Sequence, residues 1–208
     1  MPHQVQPTHP LSYWLSPELA KVSPPNAPSR LRELADTQGT LAAAWSSAIG
    51  AGPVAALTGF FIAALTGSAA WAVVMLLVGA ALTWVGLVMW RRVRRTLPGT
   101  NRVLISRGPG SARGGIVMVA GLAVFVGAAM ATALPTAAAN GTLAAVVGSY
   151  LLIIALLVAW IVVPSTVQGR ARESFRRRVN TDAGLRNAVE RDLATWRAPY
   201  GNSSYGPL

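Results

Sequence analysis

The chain has 208 residues, 52% of them hydrophobic and only 12% charged, with a formal net charge of +11. Soluble domains carry about a quarter charged residues, so this balance excludes an ordinary soluble fold and points to an integral membrane protein. The positive charge does not indicate nucleic-acid binding: all eighteen basic residues lie outside the apolar blocks, where they orient a membrane protein and meet anionic headgroups.

Chemistry is excluded as broadly as solubility. There is no cysteine, which removes disulfides, thiolate metal sites, cysteine nucleophiles and a lipoprotein anchor. His3 and His9 are the only histidines and both fall in a proline-rich arm, so they read as solvated residues and no metal or haem is expected. Of the basic residues only Lys21 is a lysine, and with heavy Ala, Gly and Val use this resembles the composition of a high-GC bacterial genome. No cleaved signal peptide is expected, because the N-terminus lacks a basic region leading into a short apolar core.

Residues 1–40 read as a cytoplasmic tail followed by an amphipathic lead-in helix. Ser16-Pro17-Glu18 supply an N-cap, a proline at the first helical position and an acid in the first turn, predicting a short helix over 17–22. Ser29 caps a second helix in which Leu31, Leu34, Leu41 and Trp45 recur near helical spacing, with Gly39 weakening it midway.

A four-helix transmembrane domain is expected over 41–163, with spans near 43–66, 69–90, 116–134 and 142–163. From Pro53 to Gly67 there are too few residues to cross about 30 Å at 1.5 Å each, so the first crossing starts upstream and tolerates Pro53 as a kink. Thr66-Gly67-Ser68 form a tight turn, and Pro135 to Gly141 a second short outer loop. Between the hairpins, loop 91–115 carries seven arginines and no acid. With both termini and this loop inside, the inner segments hold 3, 7 and 8 basic residues and the outer loops none, which sets the orientation.

Residues 164–208 read as a basic cytoplasmic tail. Asp182 caps a helix over about 182–196 whose Leu185, Val189, Leu193 and Trp196 form one apolar stripe. That stripe lies on the membrane surface, packs within the protein, or meets a partner. Residues 198–208 read as a loose end.

The predicted fold is therefore all-α: a polytopic membrane protein of two helical hairpins with amphipathic cytoplasmic helices at both ends. No catalytic, cofactor-binding or metal site is expected, because no ionisable residue lies within the spans. The candidate sites are surfaces. Small residues Ala55, Gly59, Ala63 and Gly67, with Gly127 and Ala131, are candidates for close helix packing. Arg91, Arg92, Arg94, Arg95, Arg176, Arg177 and Arg178 are candidates for anionic lipid or the membrane surface. The expected partners are the bilayer, other integral membrane subunits and anionic lipids. The expected function is a non-catalytic accessory or assembly subunit of a larger membrane complex in a bacterial inner membrane. The alternative is a small oligomeric transporter or channel, with Thr83 and Tyr150 among the few polar groups able to line a path.

Overall fold

A computed structural model describes residues 9–24, 27–98, 109–196 and 204–208. Among these, all regular structure is helical except one parallel bridge between Ser29 and Ser204. The helices are α1 (Leu11–Trp14), α2 (Pro17–Val22), α3 (Arg30–Thr66), α4 (Ala69–Arg95), α5 (Ala112–Ala131), α6 (Leu134–Ala139), α7 (Leu143–Leu157), α8 (Val163–Gly169), α9 (Ala171–Thr181) and α10 (Ala183–Thr195), with a π-turn, Val158–Val162, joining α7 to α8.

Four of these stretches are long and apolar enough to cross a membrane: Arg30–Thr66, Ala69–Arg95, Ala112–Ala131 and Leu143–Gly169. Even the shortest, of 20 residues, reaches about 30 Å at 1.5 Å per residue, the thickness of a bilayer core.

The spans differ from the sequence expectation at their ends. Helix α3 runs unbroken through Gly39 and Pro53 rather than as a lead-in helix followed by a span. Helix α4 continues through Arg91 to Arg95, because arginine is a good helix former and cations at a C-terminus complement the helix dipole. Helix α5 starts at Ala112, earlier than expected, because Ser111 caps it by accepting from Gly114 N at 3.2 Å. The expected loop from Pro135 to Gly141 contains a turn and a half of helix, α6, with Pro135 in its first turn. Residues 99–108 of the arginine-rich loop lie outside the described residues.

The chain divides into two compact units. The span unit comprises Ala42–Arg91 and Ser106–Gly169; the terminal unit comprises Met1–Leu41, Arg92–Ile105 and Arg170–Leu208.

Within the span unit, glycine sets how α3 and α4 meet. A Cβ on Gly52 would stand 2.5 Å from Gly79 O, one on Gly59 2.9 Å from Trp71 O, and one on Gly86 3.2 Å from Trp45 O. Backbone therefore lies against backbone at three levels. Gly52 and Gly59, like Gly79 and Gly86, are seven residues apart, and seven residues fall only about 20° short of two turns, so each pair holds one face. The turn between the helices uses Gly67 at φ +70, and the turn before α7 uses Gly141 at φ +69, backbone conformations that glycine adopts without strain.

The π-turn lies just ahead of Pro164, whose ring would crowd the carbonyl four residues back in a regular helix. Ser165 Oγ donates to Ile161 O and Thr166 Oγ1 to Val163 O, so side-chain hydroxyls serve carbonyls that this region leaves open. The wide turn packs closely on both sides. A Cβ on Gly50 would sit 3.1 Å from Ala159 Cβ, and one on Gly115 3.3 Å from Val162 Cα.

In the terminal unit, the core centres on Leu31, Phe175, Val179, Leu185 and Val189, none more than 1% exposed. Its helices begin where local chemistry sets them. Ser16 Oγ accepts from Leu19 N at 3.2 Å, Ser29 Oγ from Arg32 N at 3.3 Å, and Asp182 Oδ1 from Gly184 N at 2.9 Å and Leu185 N at 3.2 Å. Gly39, expected to weaken its helix, is instead where Ala171 crosses: an added Cβ would collide with that side chain. Gln38 Nε2 donates to Val93 O at 2.9 Å and Thr96 O at 2.8 Å, serving carbonyls at the end of α4.

Candidate functional site

The packing residues expected from the sequence separate into those at the helix contact and those beside it. Gly59 is buried against α4, while Ala55 and Ala63 are only half-buried. Gly67 is exposed in the turn, and a Cβ there would meet nothing within 4 Å. The four-residue ladder drifts about 40° per step around a helix, which carries its ends off the contact line. The seven-residue spacing through Gly52 is the one that stays on it. Gly127 faces Tyr150, whose hydroxyl would be 3.2 Å from an added Cβ, and Ala131 is exposed.

Polar groups within the spans turn inward to the backbone. Thr58 Oγ1 donates to Val54 O at 2.8 Å and Thr83 Oγ1 to Gly79 O at 2.9 Å, each one turn back on its own helix. Tyr150 OH donates to Ala123 O at 3.1 Å, tying α7 to α5. Large apolar side chains face outward instead, with Trp84 70% exposed and Phe125 73%. Such a surface suits lipid or the apolar face of another spanning helix.

The arginine set also divides. Arg91, Arg92 and Arg95 are exposed along the last turns of α4. Arg176, Arg177 and Arg178 are engaged within the terminal unit. Arg176 Nη2 donates to Leu208 O at 3.0 Å, Arg177 pairs with Glu173 one turn away, and Arg178 Nη1 donates to Arg94 O at 2.6 Å. Arg94 Nη2 donates to Ser174 Oγ at 2.8 Å. Burial, reinforced by the charge of Arg94, lowers the Arg178 pKa to about 10, so its guanidinium remains protonated at neutral pH.

The stripe Leu185, Val189, Leu193 and Trp196 was expected to meet the membrane surface, the protein itself or a partner. It is covered by its own chain: the first three side chains are buried in one cluster with Leu31, Phe175 and Val179, and Trp196 packs against its edge. With two or more apolar helices on the same short sequence segment, mutual burial satisfies the stripe without lipid.

Around this core runs a polar network that sequence reading missed. Asp192 accepts from Arg30 Nε at 3.2 Å and Arg30 Nη2 at 2.9 Å, and also from the phenol of Tyr205 at 3.2 Å. The same phenol lies 3.0 Å from Val189 O, and Tyr205 is 3% exposed. Burial first, and the Asp192 charge second, raise the Tyr205 pKa well above the ordinary phenol value. The Arg30 and Asp192 pair borders an open groove of about 530 Å³ floored by Leu97, Pro98 and Ala188. His9 stacks near Tyr13, with ring centroids 4.3 Å apart, while His3 lies outside the described residues. No group of three or more candidate metal-binding side chains occurs among the described residues.

No known family, curated protein or solved structure matches this chain.

Proposed function

We propose that this protein is a non-catalytic accessory or assembly subunit of a larger membrane complex, inserted with both termini in the bacterial cytoplasm. The observation that carries the reading is the use of polar groups in the span unit. Its hydroxyls at Thr58, Thr83 and Tyr150 all donate to helix carbonyls, while its outward surface presents Trp84, Phe125 and other large apolar side chains. Groups bonded in this way hold helices together, and the remaining surface offers packing area for lipid and for other spanning helices. The exposed arginines Arg91, Arg92 and Arg95 would meet anionic headgroups on the inner face, each contributing about 1 kcal/mol near such a surface. The terminal unit, with its own core, would supply the part of the subunit outside the bilayer.

The test is purification of a tagged copy from its native membrane in mild detergent, followed by native mass measurement and identification of what elutes with it. Stoichiometric recovery with one larger complex is the expected result. A clean homo-oligomer without a partner would overturn the reading in favour of a transporter or channel. Flux through reconstituted vesicles, and its loss in Thr83 or Tyr150 variants, would then establish that alternative.

A further inference from the structure

The segment Ser204–Leu208, which by sequence is a loose end, is held at nearly every position. It enters as an extended strand beside Ser29, the residue preceding α3. Arg30 N donates to Ser204 O at 3.2 Å and Leu31 N to Tyr205 O at 2.9 Å. These two amides belong to the first turn of α3, whose N–H groups have no partner within the helix. Ser29 Oγ donates to Pro207 O at 2.7 Å, Leu208 N to Trp14 O at 3.2 Å, and Arg176 Nη2 to Leu208 O at 3.0 Å.

Side chains add selectivity to this backbone clamp. Tyr205 enters the core edge-on to Trp196, with ring centroids 5.7 Å apart, and reaches Asp192 and Val189 O with its hydroxyl. Leu208 is 2% exposed. Between these anchors Gly206 passes so close to Trp14 that an added Cβ would stand 2.5 Å from its ring. Main-chain hydrogen bonds with pockets for particular side chains are the usual division of labour in peptide recognition.

We infer that the cleft formed by Trp14, the N-terminus of α3, Arg176 and Asp192 is a peptide-recognition site whose resident ligand is this chain's own Ser204–Leu208 segment, bound in cis. The centre of the core, Leu31, Phe175, Val179, Leu185 and Val189, comes from α3, α9 and α10 and does not include the segment. Seven residues, 197–203, separate the segment from Trp196. A tether of that length presents its ligand at an effective concentration on the order of millimolar, so even a weak intrinsic affinity keeps the site filled. A peptide supplied separately therefore competes only when the cis anchors are weakened.

The experiment uses the full chain carrying Tyr205→Ser and Leu208→Ser, purified in mild detergent and titrated with a fluorescein-labelled peptide of residues 202–208. Fluorescence polarisation should show saturable binding, at least tenfold weaker to the wild-type chain and at least tenfold weaker for the Gly206→Ala peptide. A variant that keeps its helical circular dichroism and elutes as one species, yet binds no peptide, overturns the inference; so does equal binding of the Gly206→Ala peptide. If the variant loses its fold, a cysteine pair decides, since the natural chain contains no cysteine. Ser29→Cys with Ser204→Cys should oxidise to an intramolecular disulfide, at least twofold more slowly with millimolar peptide but not with its Gly206→Ala form. A rate indifferent to peptide, or a disulfide formed between two chains, refutes a displaceable ligand seated in cis.

Discussion

Replacing Gly52 by alanine is the sharpest probe of how the first hairpin is held. The new Cβ would stand 2.5 Å from Gly79 O, about 0.9 Å short of ordinary contact, and 3.2 Å from Thr83 Cβ. The obstacle is largely backbone, and the Gly79 carbonyl also accepts the Thr83 hydroxyl, so neither group can swing aside. Relief requires the two helices to part, which loosens the contacts at Gly59 and Gly86 as well. Overpacking of this kind costs about 1–3 kcal/mol, whereas alanine in place of glycine favours a helix by about 1 kcal/mol. Gly121→Ala isolates the second effect, because a Cβ there meets nothing within 4 Å. Gly52→Ala should therefore be about 2–3 kcal/mol less stable than Gly121→Ala in reversible unfolding by SDS from mixed micelles. Equal midpoints for the two variants would refute glycine-dependent backbone contact between α3 and α4.

Three further outcomes concern the terminal unit. Asp182→Ala removes the acceptor for Gly184 N and Leu185 N and should cost about 1 kcal/mol, read from thermal melts of the solubilised protein. Phe175→Ala, at a fully buried position, should cost about 3–5 kcal/mol and release the stripe of α10 to protease. The third is pH dependence. The folded state holds the Tyr205 proton above the ordinary phenol range while an unfolded tyrosine releases it near pH 10, so the contribution is complete below about pH 10 and lost as pH rises further. Arg178, lowered to about 10 in the folded state, acts with the opposite sign in that alkaline range. The difference between wild type and Tyr205→Phe isolates the tyrosine; an unchanged alkaline slope would contradict its burial against Asp192.

What was legible in the sequence is what depends on neighbouring residues. The caps at Ser16, Ser29 and Asp182 bond to amides two or three positions away, so their spacing alone reveals them. The turn at Gly67 and the existence of four apolar helices follow from equally local patterns. The errors arose where distant residues decide. Gly39 looks like a weak point until Ala171 is seen crossing it, and the ladder through Ala55 and Ala63 looks like a packing face until Gly79 selects Gly52. The stripe of α10 gives the same amphipathic pattern whether lipid or Phe175 covers it. Ser204–Leu208 has no periodicity at all; its seat depends on amides of α3, more than a hundred and seventy residues earlier, through contacts such as Ser29 to Pro207.

The π-turn at Val158–Val162 makes the last span sensitive to length rather than to composition. A π-turn is in effect one residue inserted into an α-helix. Deleting a single residue from this stretch would let it close into regular helix and would rotate everything beyond it by about 100°. Ser165, now beside Gly115, would leave that contact, although every side chain outside the deletion stayed the same. Lineages of this protein should therefore accept exchanges among Val, Ile and Ala along residues 158–162 more readily than the loss of any one of them.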